Sequence, residues 1–274
     1  MKKPIIIENS ASIFKAMSHI ADSKISRLLT SDDSGQIVGI ITEKDIGLFL
    51  LENDSEKNLT EIPVSDLTKP LIEVSETTPI EDVAHIMHTK NIGSVGVASS
   101  DTVGIVTKTD LVRYYIQNYV GHKRVGDVMT VSYSSMYLDD PLYKIVSKMI
   151  EDKVSRLIIK SNQNEVKGVV TFGDLFRVSM TMGKYNDVLD NSDPLISVVF
   201  HRKGFLNPSG FGGTVLAKDV MTPNIISIDY NDDLVMACTE IIENNVNGIG
   251  VLINDKLSGI VSKTDVVKAL YELK

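Results

Sequence analysis

A seven-residue phrase occurs four times in this chain and limits what it can fold into more than any other feature. Gly39-Ile40-Ile41-Thr42-Glu43-Lys44-Asp45 returns as Gly104-Ile105-Val106-Thr107-Lys108-Thr109-Asp110 and as Gly168-Val169-Val170-Thr171-Phe172-Gly173-Asp174. Its last copy is Gly259-Ile260-Val261-Ser262-Lys263-Thr264-Asp265. The glycines lie 65, 64 and 91 residues apart. A period near 65 holds a whole supersecondary unit, too long for a simple solenoid repeat. Units this small bury too little surface to stand alone, so pairing between them is expected.

Around each phrase the hydrophobic pattern predicts the order β-α-β-β-α. In the fourth unit Asn224–Ile228 reads as a strand after the turn signal Thr222-Pro223. Asp232 or Asn231 can cap the next helix, whose Leu234, Ala237, Cys238, Ile241 and Ile242 share a face. A hairpin around Asn254-Asp255-Lys256 and a helix opened by Ser262 complete it. Unit one runs as strand Ile5–Ile7, helix Ser12–Ala21, hairpin Ile25–Ile41 and helix Glu43–Leu51. Unit two runs as strand Leu71–Val74, helix Ile80–Thr89, hairpin Ser94–Val106 and helix Thr109–Gln117. Unit three has a strand near Val131–Ser134, helix Pro141–Glu151, hairpin Val154–Val170 and helix Gly173–Met180.

The units alternate in type. One and three enter the hairpin through Ile25-Ser26-Arg27-Leu28 and Val154-Ser155-Arg156-Leu157. Two and four enter through Ile92-Gly93-Ser94-Val95 and Val246-Asn247-Gly248-Ile249. A duplicated pair is the expected organisation, with a boundary near residues 119–124.

The single cysteine, Cys238, rules out an internal disulfide and suits a reducing cytosol. No run approaches 18 apolar residues, so no membrane span is expected, and the apolar stretch after Met1-Lys2-Lys3 is too short for a signal peptide. The protein is therefore expected in the cytoplasm. A net charge of −8 disfavours general nucleic-acid binding, although Lys123-Arg124 and His201-Arg202-Lys203 are locally basic. His85 and His88 lack the further ligands a metal site needs.

The units resemble CBS domains, and a pair of them resembles a Bateman module. The resemblance rests on Asp127-Val128-Met129-Thr130 and Asp219-Val220-Met221-Thr222 at two unit entrances, on Ser-Arg-Leu before the hairpin, and on the closing phrase. Unit two has only Asp66-Leu67-Thr68-Lys69-Pro70 there, and unit one has no such entrance. The resemblance implies an α+β fold of four β-α-β-β-α CBS units, forming two Bateman modules packed as a pseudo-symmetric disc. Module one would span 1–120 (units 1–58 and 62–120). Module two would span 121–274 (units 123–182 and 216–274, with an inserted loop 183–215). Within that loop, 199–213 mixes basic, aromatic and glycine residues, matches no phosphate-loop pattern and reads first as a linker.

Thr/Ser-x-x-Asp after a strand has two readings. One is a capping box that closes the start of the next helix. The other uses the same place to bind a ligand, because a helix start offers N–H donors to phosphate and a carboxylate accepts from a ribose diol. The resemblance implies the second: Asp45, Asp110, Asp174 and Asp265 would hold ribose, with Thr42, Thr107, Thr171 and Ser262 near phosphate. The base would lie against Ile6, Ile72 and Ile226. Arg27 and Arg156 could add bidentate phosphate contacts, and Lys44, Lys108 and Lys263 stand beside the hydroxyl residues. Asp110 and Asp265 are favoured over Asp174, whose phrase carries Phe172-Gly173.

The implied function is non-enzymatic: a regulator that senses AMP, ADP, ATP or S-adenosylmethionine in clefts between paired units and relays this to a separate protein partner. No cofactor or metal is expected beyond that ligand. The chain would be a monomer with an internal disc or a homodimer. The competing readings are a nucleotide-processing enzyme and a DNA-associated regulator.

Overall fold

The computed structural model describes residues 4–52, 57, 59–98, 103–184, 208 and 211–273. Of the expected loop 199–213, all but 208 and 211–213 lies outside the described residues, His201-Arg202-Lys203 included.

All four repeats follow the expected order. Repeat one has β1 Ile6–Glu8, α1 Ile13–Ser23, β2 Arg27–Ser31, β3 Ile37–Thr42 and α2 Glu43–Glu52. Repeat two has β4 Glu73–Ser75, α3 Ile80–Thr89, β5 Ser94–Ala98, β6 Val103–Thr107 and α4 Lys108–Asn118. Repeat three opens with the short α5 Val125–Val128 and continues through β7 Ser135–Tyr137, α6 Leu142–Glu151, β8 Arg156–Lys160, β9 Val166–Thr171 and α7 Phe172–Lys184. The short helices α8 Phe211–Thr214 and α9 Ala217–Val220 precede repeat four. Between them and that repeat, β10 Thr222–Pro223 joins the sheet of repeat three, antiparallel to β9. Repeat four itself has β11 Ser227–Asp229, α10 Leu234–Glu243, β12 Gly248–Ile253, β13 Lys256–Ser262 and α11 Lys263–Tyr271. In each repeat the first of the three strands (β1, β4, β7 or β11) runs parallel to the second, and the second pairs with the third as an antiparallel hairpin. Asn254 and Asp255 close the last hairpin with positive φ, the backbone a tight two-residue turn requires.

The first long helix of each repeat buries one stripe. In α1 it is Ile13, Ala16, Met17 and Ile20; in α6, Leu142, Ile145, Val146 and Met149; in α10, Leu234, Ala237, Cys238 and Ile241. The spacing i, i+3, i+4, i+7 puts four apolar groups on one helical face. The cap of α10 is Asp233, whose side chain accepts from the Val235 N–H at 2.8 Å, and not Asp232 or Asn231.

The same helix ends at a left-handed residue in every repeat: Lys24, Asn91, Lys153 and Asn245, with φ of 50°, 51°, 54° and 52°. Asparagine tolerates this conformation because its short polar side chain bonds locally, whereas lysine pays about 1–2 kcal/mol for the Cβ. Lys153→Asn is therefore expected to stabilise the protein by about 0.5–1 kcal/mol. Urea unfolding checks this; a lowered midpoint would contradict the strain argument.

The repeats pack into two compact units, and each joins alternate repeats. One contains Leu71–Tyr133 with Ile225–Lys274, that is, repeats two and four. The other contains Ile5–Pro70 with Ser134–Asn224, repeats one and three. The chain-order modules 1–120 and 121–274 divide the same four repeats differently. In the unit of repeats two and four a continuous core joins Leu111, Val112 and Tyr115 of α4 to Leu234, Ala237 and Ile241 of α10 and to Val266, Val267 and Leu270 of α11. In the unit of repeats one and three, α2 packs against α7: Phe176 enters the cluster of Leu28, Ile41 and Ile46, and Leu48 enters that of Phe172 and Leu175.

Candidate functional site

Each phrase runs from the last strand of its hairpin into the following helix, so its Thr or Ser stands at the helix start and its Asp one turn in. The hairpin register fixes what faces the hydroxyl residue. Arg27 lies opposite Thr42 and Arg156 opposite Thr171, whereas Ser94 lies opposite Thr107 and Gly248 opposite Ser262. The two expected arginines thus belong to one unit, beside their own repeats' hydroxyls. Arg27 and Arg156 are both half-buried, and Arg27 Nη2 donates to Ser26 Oγ at 3.2 Å.

Every Asp forms the capping arrangement. One oxygen, Oδ2, accepts from both the backbone N–H and the hydroxyl of its own Thr or Ser. The distances are 3.0 and 2.5 Å at Asp45, 2.9 and 2.6 Å at Asp110, 2.7 and 2.6 Å at Asp174, and 2.8 and 2.6 Å at Asp265. The capping reading of the phrase holds for all four copies. It also leaves Oδ1 of each carboxylate for other work, so capping and binding need not compete.

The environment of Oδ1 differs between copies. Asp45 Oδ1 accepts from Lys69 Nζ at 2.5 Å. Asp174 Oδ1 is paired with Arg177 and accepts from Thr222 Oγ1 at 3.0 Å. Among the described residues, Asp265 Oδ1 accepts only from Thr130 Oγ1, at 3.3 Å. Asp110 Oδ1 has Arg113 Nη1 at 3.7 Å, beyond hydrogen-bond reach, with both side chains about half exposed. Sequence reasoning missed Lys69, Thr130, Thr222 and Arg177. Three of them stand in the entrance segments of other repeats, and the Asp-Val-Met-Thr pattern that singles out Thr130 and Thr222 was a signal for them.

The apolar positions are corrected in one place. The carbonyls of Ile72 and Ile226 accept from Gly96 N and Gly250 N, and that of Ile5 accepts from Leu29 N. Ile5 therefore occupies in repeat one the position of Ile72 and Ile226. Ile6, one residue on, points the other way on a pleated strand and is 47% exposed. Ile72 and Ile226 are partly buried against the core of their unit.

Among the lysines, Lys108 Nζ donates to Thr264 Oγ1 at 2.9 Å, joining the phrases of repeats two and four. Lys263 is buried at 9% exposure, and Lys44 is exposed. In the other unit the matching first helical residues are Glu43 and Phe172. Burial pushes the Glu43 carboxyl up from its ordinary value, with nearby Arg177 opposing. Cys238 lies in the core, where burial pushes its thiol up to about 12, so it acts as a small hydrophobe and not as a nucleophile. His85 and His88 pack against the Tyr271 ring at 4.8 and 5.8 Å. Among the described residues no three His, Cys, Asp or Glu side chains are placed to hold a metal ion, and no helix is long and apolar enough to cross a membrane.

The CBS domain profile matches residues 1–52, 64–117, 125–181 and 217–272. The uncharacterised protein MJ1225 of Methanocaldococcus jannaschii is 20% identical over a 283-residue alignment that covers 97% of this chain and 95% of that one. Its crystal structure, described as that of a proposed archaeal homologue of g-AMPK, matches with a TM-score of 0.77 over 98% of this chain and 96% of that one. An uncharacterised conserved protein from Pyrococcus horikoshii matches at 17% identity with a TM-score of 0.63, over 98% and 96% of the two chains. The L-aspartate semialdehyde sulfurtransferase of M. jannaschii is 34% identical over 116 residues, 42% of this chain but only 22% of that enzyme.

Proposed function

Since the chain belongs to the CBS domain family, with four copies of the domain, we propose that it is a regulatory sensor of an adenosine-containing ligand: AMP, ADP, ATP or S-adenosylmethionine. The observation that carries this reading is the split use of the phrase carboxylate. Oδ2 closes the helix start, and at Asp110 and Asp265 no cation among the described residues lies within hydrogen-bond distance of Oδ1. A carboxylate accepts through about four lone-pair positions, so those copies can still take hydroxyl hydrogens from a ribose. The first amides of a helix lack partners within the helix and carry the positive end of its dipole, which favours a phosphate beside Thr107 or Ser262. Ile72 and Ile226 offer apolar surface to a base. Arg27 and Arg156 stand beside the hydroxyl residues of repeats one and three, Thr42 and Thr171.

The ligand changes output only through different affinity for two arrangements of the protein. We assign that output to a separate protein partner in the cytoplasm. Conversion of the ligand would require a positioned base or nucleophile, a role for which Cys238 is unsuited.

Thermal unfolding with each adenosine compound, beside its guanosine counterpart, tests the reading. At ten times its dissociation constant the adenosine ligand should add about 1.4 kcal/mol to stability, and it should be recovered unchanged after incubation. A shift with guanosine compounds alone, or turnover of the ligand, would defeat the proposal.

A further inference from the structure

The four phrases are alike in sequence but not in what remains for a ligand to bind. Asp174 is 1% exposed at its side chain, and its two oxygens meet four donors: Thr171 N and Oγ1, Arg177 and Thr222 Oγ1. That exhausts the acceptor positions of a carboxylate. The start of its helix is covered as well, because Glu43 Oε1 lies 3.0 Å from where a side chain on Gly173 would begin. An acid from repeat one thus already stands where the helix dipole would draw an anion. Asp45 in the same unit is 11% exposed at its side chain and paired with Lys69. In the other unit Asp110 and Asp265 keep an oxygen with no cation in hydrogen-bond reach among the described residues, and the first helical residues are Lys108 and Lys263.

We infer that the copies have divided their labour: the phrases of repeats one and three hold the fold, satisfied by Lys69, Arg177, Thr222 and Glu43, while the adenosine ligand is held in the unit of repeats two and four by Asp110 and Asp265. Lys69, Arg177 and Glu43 are then the residues that decide which copies stay empty. This rests on the proposed adenosine reading and goes beyond it by assigning the copies.

Calorimetric titration of the full chain with AMP, ADP, ATP and S-adenosylmethionine tests it, using the tightest of these on four variants. Asp110→Asn and Asp265→Asn should each weaken a binding equivalent at least tenfold while leaving the melting temperature near that of the parent. Asp45→Asn and Arg177→Met should keep affinity within about twofold; Arg177→Met, at a residue 68% exposed, spares the buried carboxylate. A tenfold loss in either of these two, or unchanged affinity in both Asp110→Asn and Asp265→Asn, overturns the division. If the parent binds none of the four compounds, the adenosine reading itself fails, a result separate from misassigned copies.

Discussion

Gly168→Val and Gly259→Val should each cost about 3 kcal/mol of stability, the upper part of the range for overfilling a packed site. The first atom of a side chain at Gly168 would lie 2.5 Å from the Thr222 carbonyl oxygen, and at Gly259 it would lie 2.6 Å from that of Thr130. Neither oxygen can easily withdraw. Thr130 and Ile260 exchange backbone hydrogen bonds at 2.9 and 3.0 Å, and Thr222 pairs with Val169. Gly39 meets the Lys69 carbonyl in the same way, at 2.5 Å. Glycine therefore opens these phrases because another repeat's entrance crosses the strand there at backbone contact distance, bringing Lys69, Thr130 or Thr222 to the Asp. Gly47, inside α2 with its nearest neighbour at 3.6 Å, provides the control. There alanine should add roughly 0.5–1 kcal/mol through helix propensity. Urea midpoints for the two valine variants equal to the parent's would show that the crossing is loose.

The alternation of apolar residues and the four phrases made the repeats legible, because each long helix and hairpin carries its own local period. Helix α3 was read to the residue, and α1, α2, α4 and α6 to within two. The opening strands were read less well. The third was expected near Val131–Ser134 and lies at Ser135–Tyr137, since a three-residue strand has too few positions to show a period. The same brevity put Ile6 where Ile5 stands. The entrance pattern marks Thr130 and Thr222 but does not say which carboxylate each would meet: Lys69, Thr222 and Thr130 are 24, 48 and 135 residues from their carboxylates. The phrase states only its local half, Thr or Ser with Asp three residues on. Whether a copy remains open depends on a side chain delivered by tertiary packing.

Asp174→Asn should be the most damaging of the four Asp→Asn changes, lowering stability by about 2–4 kcal/mol, against about 0.3–1 kcal/mol for Asp110→Asn. The amide has one oxygen where the carboxylate has two, and every direction around Asp174 presents a donor. If the NH₂ group replaces Oδ2, it faces the Thr171 N–H; if it replaces Oδ1, it faces Arg177 and Thr222. Removing one partner of a buried ion pair typically costs about 3–5 kcal/mol. The expected loss is smaller because the arginine is 68% exposed and can turn to water. Asp110 has no such enclosure, and its substitution loses little beyond a dipole contact at the helix start. A second experiment separates the ion pair from the rest: with Arg177→Met already in place, Asp174→Asn should cost less than it does alone, because the two residues share one interaction. Urea unfolding of the single and double variants measures both effects. Equal losses at Asp110 and Asp174, with additive costs in the double variant, would show that the third phrase is no more closed than the second.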